Sequence, residues 1–497
     1  MTPSTDEVES GLGLKTGKGR VALVATVSAT AMASLDATVV NVALPHIGAE
    51  FHSSVTSLQW VLTGYLLALS SLILLGGALG DRFGRRRILV IGTVWFAGAS
   101  LLCGVSQNIV MLVVARVLEG VGGALVSPGS LAIIQASYRE SDRAAAVGAW
   151  SGLGGIAGAV GPFVGGALVG GPGWRWAFLI NVPIAMAAVV AAYAAVPESR
   201  DADSSERLDW RGGLIVSGAL AAITWALTEV GVRGWTDPAV LVTLAVGVVL
   251  GAGFVRHLLR TRYPLVPPAL FRNRTFTVVN LETALLYAGI GVTFFLVIFE
   301  LQVVSGWSPL KAGTSLLPVT VLMLLLSEWS GALGQRIGPR TQLTVGPLLT
   351  GAGLLLLARL GPHTSYVFDV LPGAFVFGLG LVVFGPPLTA TVMAAADPDH
   401  VSVASGVNYA VARVAGLITL AVIPSVSGLA RATGPHEITH AFRIGMVIAA
   451  VLALSGTPIA VIGLAPRLPR FRTARRFHCA IDGPPLQPDP ARCPMPS

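Results

Sequence analysis

Apolar residues run in blocks of about 20 along this chain, separated by short polar joints, and that is the length of a helix crossing a hydrocarbon layer. Fourteen blocks are read, near 21–44, 59–80, 88–106, 109–133, 144–170, 175–196, 212–229, 238–258, 275–303, 311–333, 341–360, 366–392, 401–428 and 441–464. Lipid satisfies no backbone polar group, so each block is expected to be a helix and the fold class an all-α polytopic membrane protein. The composition agrees: of 497 residues 53% are hydrophobic and 12% charged, with mean hydropathy +0.74. Soluble proteins carry about 25% charged residues. No polar stretch exceeds about 35 residues, too short for a soluble domain of about 50.

Charge adds topology. A net charge of +8 and a pI near 9.9 would suggest nucleic acid in a soluble protein, but here the cations alternate between joints. With the N-terminus on the cytoplasmic side, 25 of the 33 Lys and Arg fall in inner segments and 6 in outer ones. Arg116 and Arg413 fall inside blocks. Cationic loops stay cytoplasmic, so both termini are expected there, in the cell membrane, with no nucleic-acid partner and with anionic lipid headgroups against the arginines. One inner joint departs from the pattern: Ala394 to His400 holds Asp397 and Asp399 and no cation. Ala31-Met32-Ala33 offers a signal-peptide cleavage site, but the apolar pattern runs on to Leu44, which suits a spanning helix. Cys103, Cys479 and Cys493 show no metal spacing, and no structural disulfide or cofactor is expected. Gly17-Lys18 lacks the rest of a phosphate loop. The tail from Pro466 is rich in Pro and Arg and is expected to be disordered.

The joint between the second and third blocks reads Gly77-Ala78-Leu79-Gly80-Asp81-Arg82-Phe83-Gly84-Arg85-Arg86-Arg87. Four arginines hold it inside, the glycines permit the turn, and Asp81 can cap a helix or hold an arginine. It resembles, without a gap, the cytoplasmic loop signature of the major facilitator superfamily of secondary transporters. Gly331-Ala332-Leu333-Gly334-Gln335-Arg336-Ile337-Gly338-Pro339-Arg340 echoes it after the tenth block, with Gln335 in place of Asp81. Spans 1–6 and 9–14 then read as paired halves. The division expected is a tail at 1–20, a six-helix bundle at 21–196, two extra helices at 212–258, a second bundle at 275–464 and a tail at 465–497.

Ionisable residues inside spans are expensive and so are functional candidates. Span one carries Asp36 in Leu35-Asp36-Ala37-Thr38-Val39-Val40-Asn41, where a proton or cation site competes with a carboxylate held by a neighbouring donor. Asn41 lies off the Asp36 stripe and has a packing amide as its alternative. The string is similar to the first helix of the 14-helix drug:proton antiporter branch. In span four Arg116 and Glu119 are three apart and can pair locally. Leu112-x-x-x-Arg116-x-x-Glu119-Gly120-x-Gly122-Gly123 resembles the same branch, with Glu where Gln is usual. The resemblance implies a cavity-lining, proton-assisting Arg116. Span five is glycine-dense, with Gly158, Gly161, Pro162, Gly165 and Gly166. These open a groove for a neighbouring backbone and permit a bend. Gly161-Pro162-x-x-Gly165-Gly166 resembles the antiporter signature, which implies export.

Trp174-Arg175-Trp176-Ala177-Phe178-x-Ile180-Asn181-Val182-Pro183 also resembles that branch, although its tryptophans suit an interfacial belt. In the second half Glu300 and Glu328 lie near span ends, where interfacial solvation is expected. Glu282 is deeper, with a cavity-facing position one alternative. Arg413 in Gly406-Val407-Asn408-Tyr409-x-x-x-Arg413 is similar to the branch's thirteenth helix.

The resemblance implies a proton-coupled exporter in which Asp36, Asn41, Arg116, Glu119, Glu282 and Arg413 serve coupling or the substrate cavity. Gly77, Asp81, Arg82, Gly84, Arg85 and Arg86 would form a gating loop, and Gly158 to Gly166 the antiporter helix. The cargo expected is an amphipathic drug or antibiotic, with a positive charge as one option, moved by a monomer. A facilitator or symporter of a small metabolite is the alternative. An intramembrane enzyme or channel finds no metal cluster, nucleophile turn or filter-like loop in this sequence, and an ATP-driven pump finds no phosphate loop.

Overall fold

The computed structural model describes residues 11–200, 209–262, 264–396 and 401–464. The expected tail beyond 465 and the acidic joint at 397–400 lie outside them. The spanning helices are α1 Gly17–Phe51, α2 Val55–Phe83, α3 Arg85–Gly104, α4 Ile109–Ser137, α5 Glu140–Gly170, α6 Trp176–Ala195, α7 Trp210–Arg233 and α8 Pro238–Arg260. They continue as α9 Arg274–Val304, α10 Pro309–Gly334, α11 Pro339–Leu357, α12 Tyr366–Ala394, α13 Val401–Val426 and α14 Pro435–Gly463. Thirteen are long and apolar enough to cross a membrane. The fourteenth, α11, is less apolar because Arg340 and Gln342 occupy its first turn. The chain is an all-α, 14-helix membrane protein, and among the described residues β pairing is limited to one isolated bridge, Leu12 with Tyr138.

Local chemistry sets the helix ends. Thr16, Ser54, Asn108, Asp209, Asp237, Asn273 and Ser308 each accept a backbone N–H of the following first turn. The Thr16 cap is why α1 begins at Gly17, ahead of the apolar block itself. Gly84 ends α2 and starts α3 at φ +112°, and Gly338 makes the same turn in the echo at φ +84°. The echo extends to contacts. Arg86 donates to the Val196 carbonyl (3.1 Å) and Arg340 to the Val461 carbonyl (2.7 Å), each near the end of the sixth helix of its own half.

Packing repeats the same plan twice. In the first half α4 lies against α2 and α3, and α1 against α5 and α6; in the second α12 lies against α10 and α11, and α9 against α13 and α14. Helix α7 sits across the seam between α2 and α13, and α8 packs mainly on α7. Trp60 of α2 donates to Glu229 of α7, while Ser425 of α13 donates to the Thr228 carbonyl of α7.

The halves touch at the end remote from the 77–87 joint, called here the far end. Gln59 donates to the carbonyls of Leu420 (2.7 Å) and Ala421 (2.8 Å), and Gln302 to that of Val42 (3.0 Å). Toward the joint end one face of α5 is open, since a Cβ on Gly148 or Gly152 would meet nothing within 4 Å, while Trp150 on another face donates to Thr30 of α1 (2.9 Å). The two bundles therefore close on one another at the far end and leave a gap beside α5 toward the joint, with α2 and α13 still in contact at Leu74 and Gly406.

Gly84 carries a testable load. Its φ is costly for an L side chain, and a Cβ there would stand 2.6 Å from Glu198 Oε1. Gly84→Ala is expected to destabilise the protein by about 1–2 kcal/mol, read as a lowered unfolding midpoint in detergent. Gly98→Ala, where a Cβ meets nothing within 4 Å, serves as the control.

Candidate functional site

Three charged side chains converge inside the first half. Asp36 projects from the middle of α1, and Arg116 and Glu119 from one face of α4, three residues apart. Arg116 Nη1 lies 2.6 Å from Asp36 Oδ2 and 2.5 Å from Glu119 Oε2. All three are buried, at 1% exposure or less. The sequence left local pairing of Arg116 with Glu119 and a partnered Asp36 as separate alternatives; the structure joins them on one guanidinium.

The remaining valences are met by neighbours. Arg116 Nε donates to the Val61 carbonyl (3.1 Å), and its guanidinium lies 4.3 Å from the Tyr65 ring centroid and 5.7 Å from that of Phe178. Asn181 Nδ2 donates to Asp36 Oδ1 and contacts Ser100 Oγ, both at 3.2 Å. Ser100 donates to Glu119 Oε1, and the Cys103 thiol to Glu119 Oε2 (3.6 Å). Two carboxylates on one cation leave one net negative charge in a dry interior. That is costly unless it is neutralised, and one proton neutralises it.

Sequence reasoning missed Asn181, Ser100, Tyr65 and Phe178 as site residues. Asn181 had a signal, since it stood in the quoted Trp174–Pro183 string. Ser100 and Tyr65 had none, because small polar and aromatic residues recur throughout the spans.

The glycines of α5 lie between this cluster and the second half. Thr38 of α1 donates to the Gly158 carbonyl (3.0 Å), and a Cβ on Gly161 would collide with Thr38 Oγ1. A Cβ on Gly165 would stand 3.0 Å from the Val39 carbonyl oxygen. The opposite face meets α10: a Cβ on Gly166 would be 2.6 Å from Leu310 Cα, and one on Gly313 would strike the Pro162 carbonyl. One helix thus touches both the turns that hold Asp36 and the far-end closure.

The other candidates lie apart. Asn41 bonds the Ala37 carbonyl of its own helix (3.0 Å) and does not join the cluster. Glu282 is buried beside Gly456 of α14 and Pro347 of α11, with no hydrogen-bond partner for either oxygen. Glu300 corrects the expectation of interfacial solvation: a wide turn over Glu300–Val304 carries it inward, fully buried, where Thr439 donates to it (2.6 Å). Glu328 is exposed. Trp174 is likewise no belt residue; it is buried between Phe51 and Phe178 and donates to Glu50 (2.6 Å). Trp176 is exposed.

The joint keeps to its own half. Arg85 pairs with Asp81 (2.8 Å), the Arg86 amide donates to Glu198 (3.1 Å), and Arg82 lies over Phe83. A Cβ on Gly77 would touch Pro128 of α4. Arg413 stands midway along α13, half-buried, with its Nη2 donating to Tyr409 Oη (2.6 Å).

Comparison with known proteins places this architecture. Residues 26–420 match the family model described as Major Facilitator Superfamily. The tetracenomycin C resistance and export protein of Streptomyces glaucescens is 34% identical over 85% of this chain and 79% of that one. The puromycin resistance protein of Streptomyces alboniger is 35% identical over 82% and 81%. The multidrug resistance protein B homolog of Mycobacterium tuberculosis strain CDC 1551 / Oshkosh is 32% identical over 86% and 87%. Among solved structures, a peptide transporter POT in complex with sulfate superposes with TM-score 0.67 over 93% of this chain and 99% of that one. At 14% identity it speaks for the fold alone. With its paired six-helix halves, the signature joint and these relatives, the chain belongs to the major facilitator superfamily, as a transporter of its drug- and antibiotic-resistance branch rather than an enzyme.

Proposed function

We propose that this protein is a proton-coupled exporter of small amphipathic drugs or antibiotics, and that Asp36, Arg116 and Glu119 carry the proton. The observation behind the reading is the pair of buried carboxylates on a single guanidinium, which holds room for one proton. Export is supported by the printed names of the relatives, which speak of resistance and, for the first, export. On this reading the far end faces outside, which the excess of Lys and Arg at the joint end supports.

The cycle follows from charge. Open to the outside, the cluster takes up a proton and loses its net negative charge. The neutral cluster tolerates the sealed arrangement, in which α5 seats against α10 and the gap opens to the cytoplasm. Substrate entering from that side displaces the proton, and the recharged cluster favours the outward-open form. Such coupling requires that the two ligands prefer different states. The 77–87 joint closes against the second half when the gap opens outward.

The seat between α5 and α10 can be tested directly. Gly166→Val is expected to keep the far end open, lowering export roughly tenfold. A cysteine placed at Val42, which is buried here, then becomes reactive to an impermeant maleimide added outside. Full shielding of that cysteine in the Gly166→Val protein contradicts the reading.

A further inference from the structure

The second half brings a cation to the gap without an acid to balance it. Gly406, Ala410 and Arg413 lie four and three residues apart, on one stripe of α13. Gly406 approaches Leu74 of α2, and Ala410 belongs to an apolar cluster with Met32 and Tyr65 of the first half. Arg413 therefore points across the gap rather than into lipid. Its guanidinium rests 4.7 Å from the Tyr409 ring and bonds that phenol. Tyr287 of α9 runs alongside one turn away, its carbonyl oxygen 3.8 Å from where a Cβ on Gly416 would stand.

Among the described residues, no carboxylate pairs with Arg413. The nearby acids of the first half are committed elsewhere: Asp36 to Arg116 and Asn181, and Glu119 to Arg116, Ser100 and Cys103. A guanidinium has five N–H donors and no acceptor, and a neutral phenol uses one of them. Tyr287 and Tyr409 are each 38% exposed in mid-helix, and the Tyr409 ring lies beside the free donors.

We infer that Arg413, flanked by Tyr409 and Tyr287, is an anion-recognition site, and that the exported compounds are aromatic acids or phenolates rather than cations. Carboxylate or phenolate oxygens satisfy the guanidinium fork, and a flat ring stacks on the tyrosines. The inference rests on the export reading above and sharpens its substrate class, which the sequence left open to a positive charge.

The test uses the full-length protein in liposomes under an imposed pH gradient, with carboxyfluorescein as the aromatic acid and ethidium as the aromatic cation. Wild type is expected to move carboxyfluorescein in preference to ethidium. Arg413→Gln is expected to lower the ratio of anion to cation rates roughly tenfold. Arg413→Lys keeps the charge and most of the ratio. Tyr409→Ala removes the stacking ring and is expected to lower the ratio several-fold, and it stands in if Arg413→Gln does not fold. A wild-type preference for ethidium, or an Arg413→Gln or Tyr409→Ala protein that keeps the wild-type ratio, overturns the inference. Ethidium transport that Asp36→Asn abolishes and Arg413→Gln leaves untouched sustains export while removing the anion site. Movement of neither probe contradicts both.

Discussion

Asp36→Asn is expected to cut pH-gradient-driven export roughly 100-fold while the protein stays folded. The amide can still accept from Arg116 or Asn181, so the geometry around α1 survives. What it loses is one of the two carboxylates on the guanidinium: with Arg116 and Glu119 left as one cation and one anion, the cluster no longer carries an excess negative charge. The variant mimics the loaded state permanently. Held in that state, the far end stays closed, so proton-independent exchange of substrate across the membrane should fall together with net driven transport. Everted vesicles loaded with a substrate found by a susceptibility panel measure both. Driven export at the wild-type rate would remove Asp36 from the mechanism.

Arg116→Met should have the other large effect, on stability. It strips the cation from two buried carboxylates at once and frees the Val61 carbonyl and the face of Tyr65. Breaking one side of such a network costs about 3–5 kcal/mol, because the charge left behind has no solvent. The remedy follows from the same argument. Adding Asp36→Asn and Glu119→Gln to Arg116→Met removes the stranded charges and should restore most of the unfolding midpoint, while driven export stays absent. A single Arg116→Met protein as stable as wild type would mean that the three side chains do not share charge as their geometry implies.

Much of this was legible in the chain. The spans follow from the length of apolar blocks, and the pairing of halves from the echo of Gly77–Arg85 at Gly331–Pro339. The echo as read in the chain already pairs Arg86 with Arg340; the structure adds their matching carbonyl contacts, which no spacing rule could reveal. Asp36, Arg116 and Glu119 stood out because a charge in an apolar block is rare. Their meeting on one guanidinium was not legible, since it depends on how α1 packs against α4. The same limit hid Asn181, Ser100 and Tyr65, which are ordinary residues made special by their neighbours. Glu300 was misjudged because position in a block was read as depth in the membrane; the wide turn at 300–304 and the Thr439 hydroxyl decide its burial instead. Trp174 was misjudged for a related reason: Glu50 and two aromatic rings supply what the interface would otherwise offer.

The central claim is that protonation of the Asp36 cluster sets which end of the gap is open. Spectroscopic labels on cysteines at Pro172 and Ser308, both exposed at the far end, report the separation of the halves there. Cys103, Cys479 and Cys493 are first replaced by Ala. The distance distribution is then followed from acid to alkaline pH in wild type and in Asp36→Asn. The account predicts that the far end opens in wild type as pH rises and stays closed throughout in Asp36→Asn. An undiminished pH response in Asp36→Asn would contradict it.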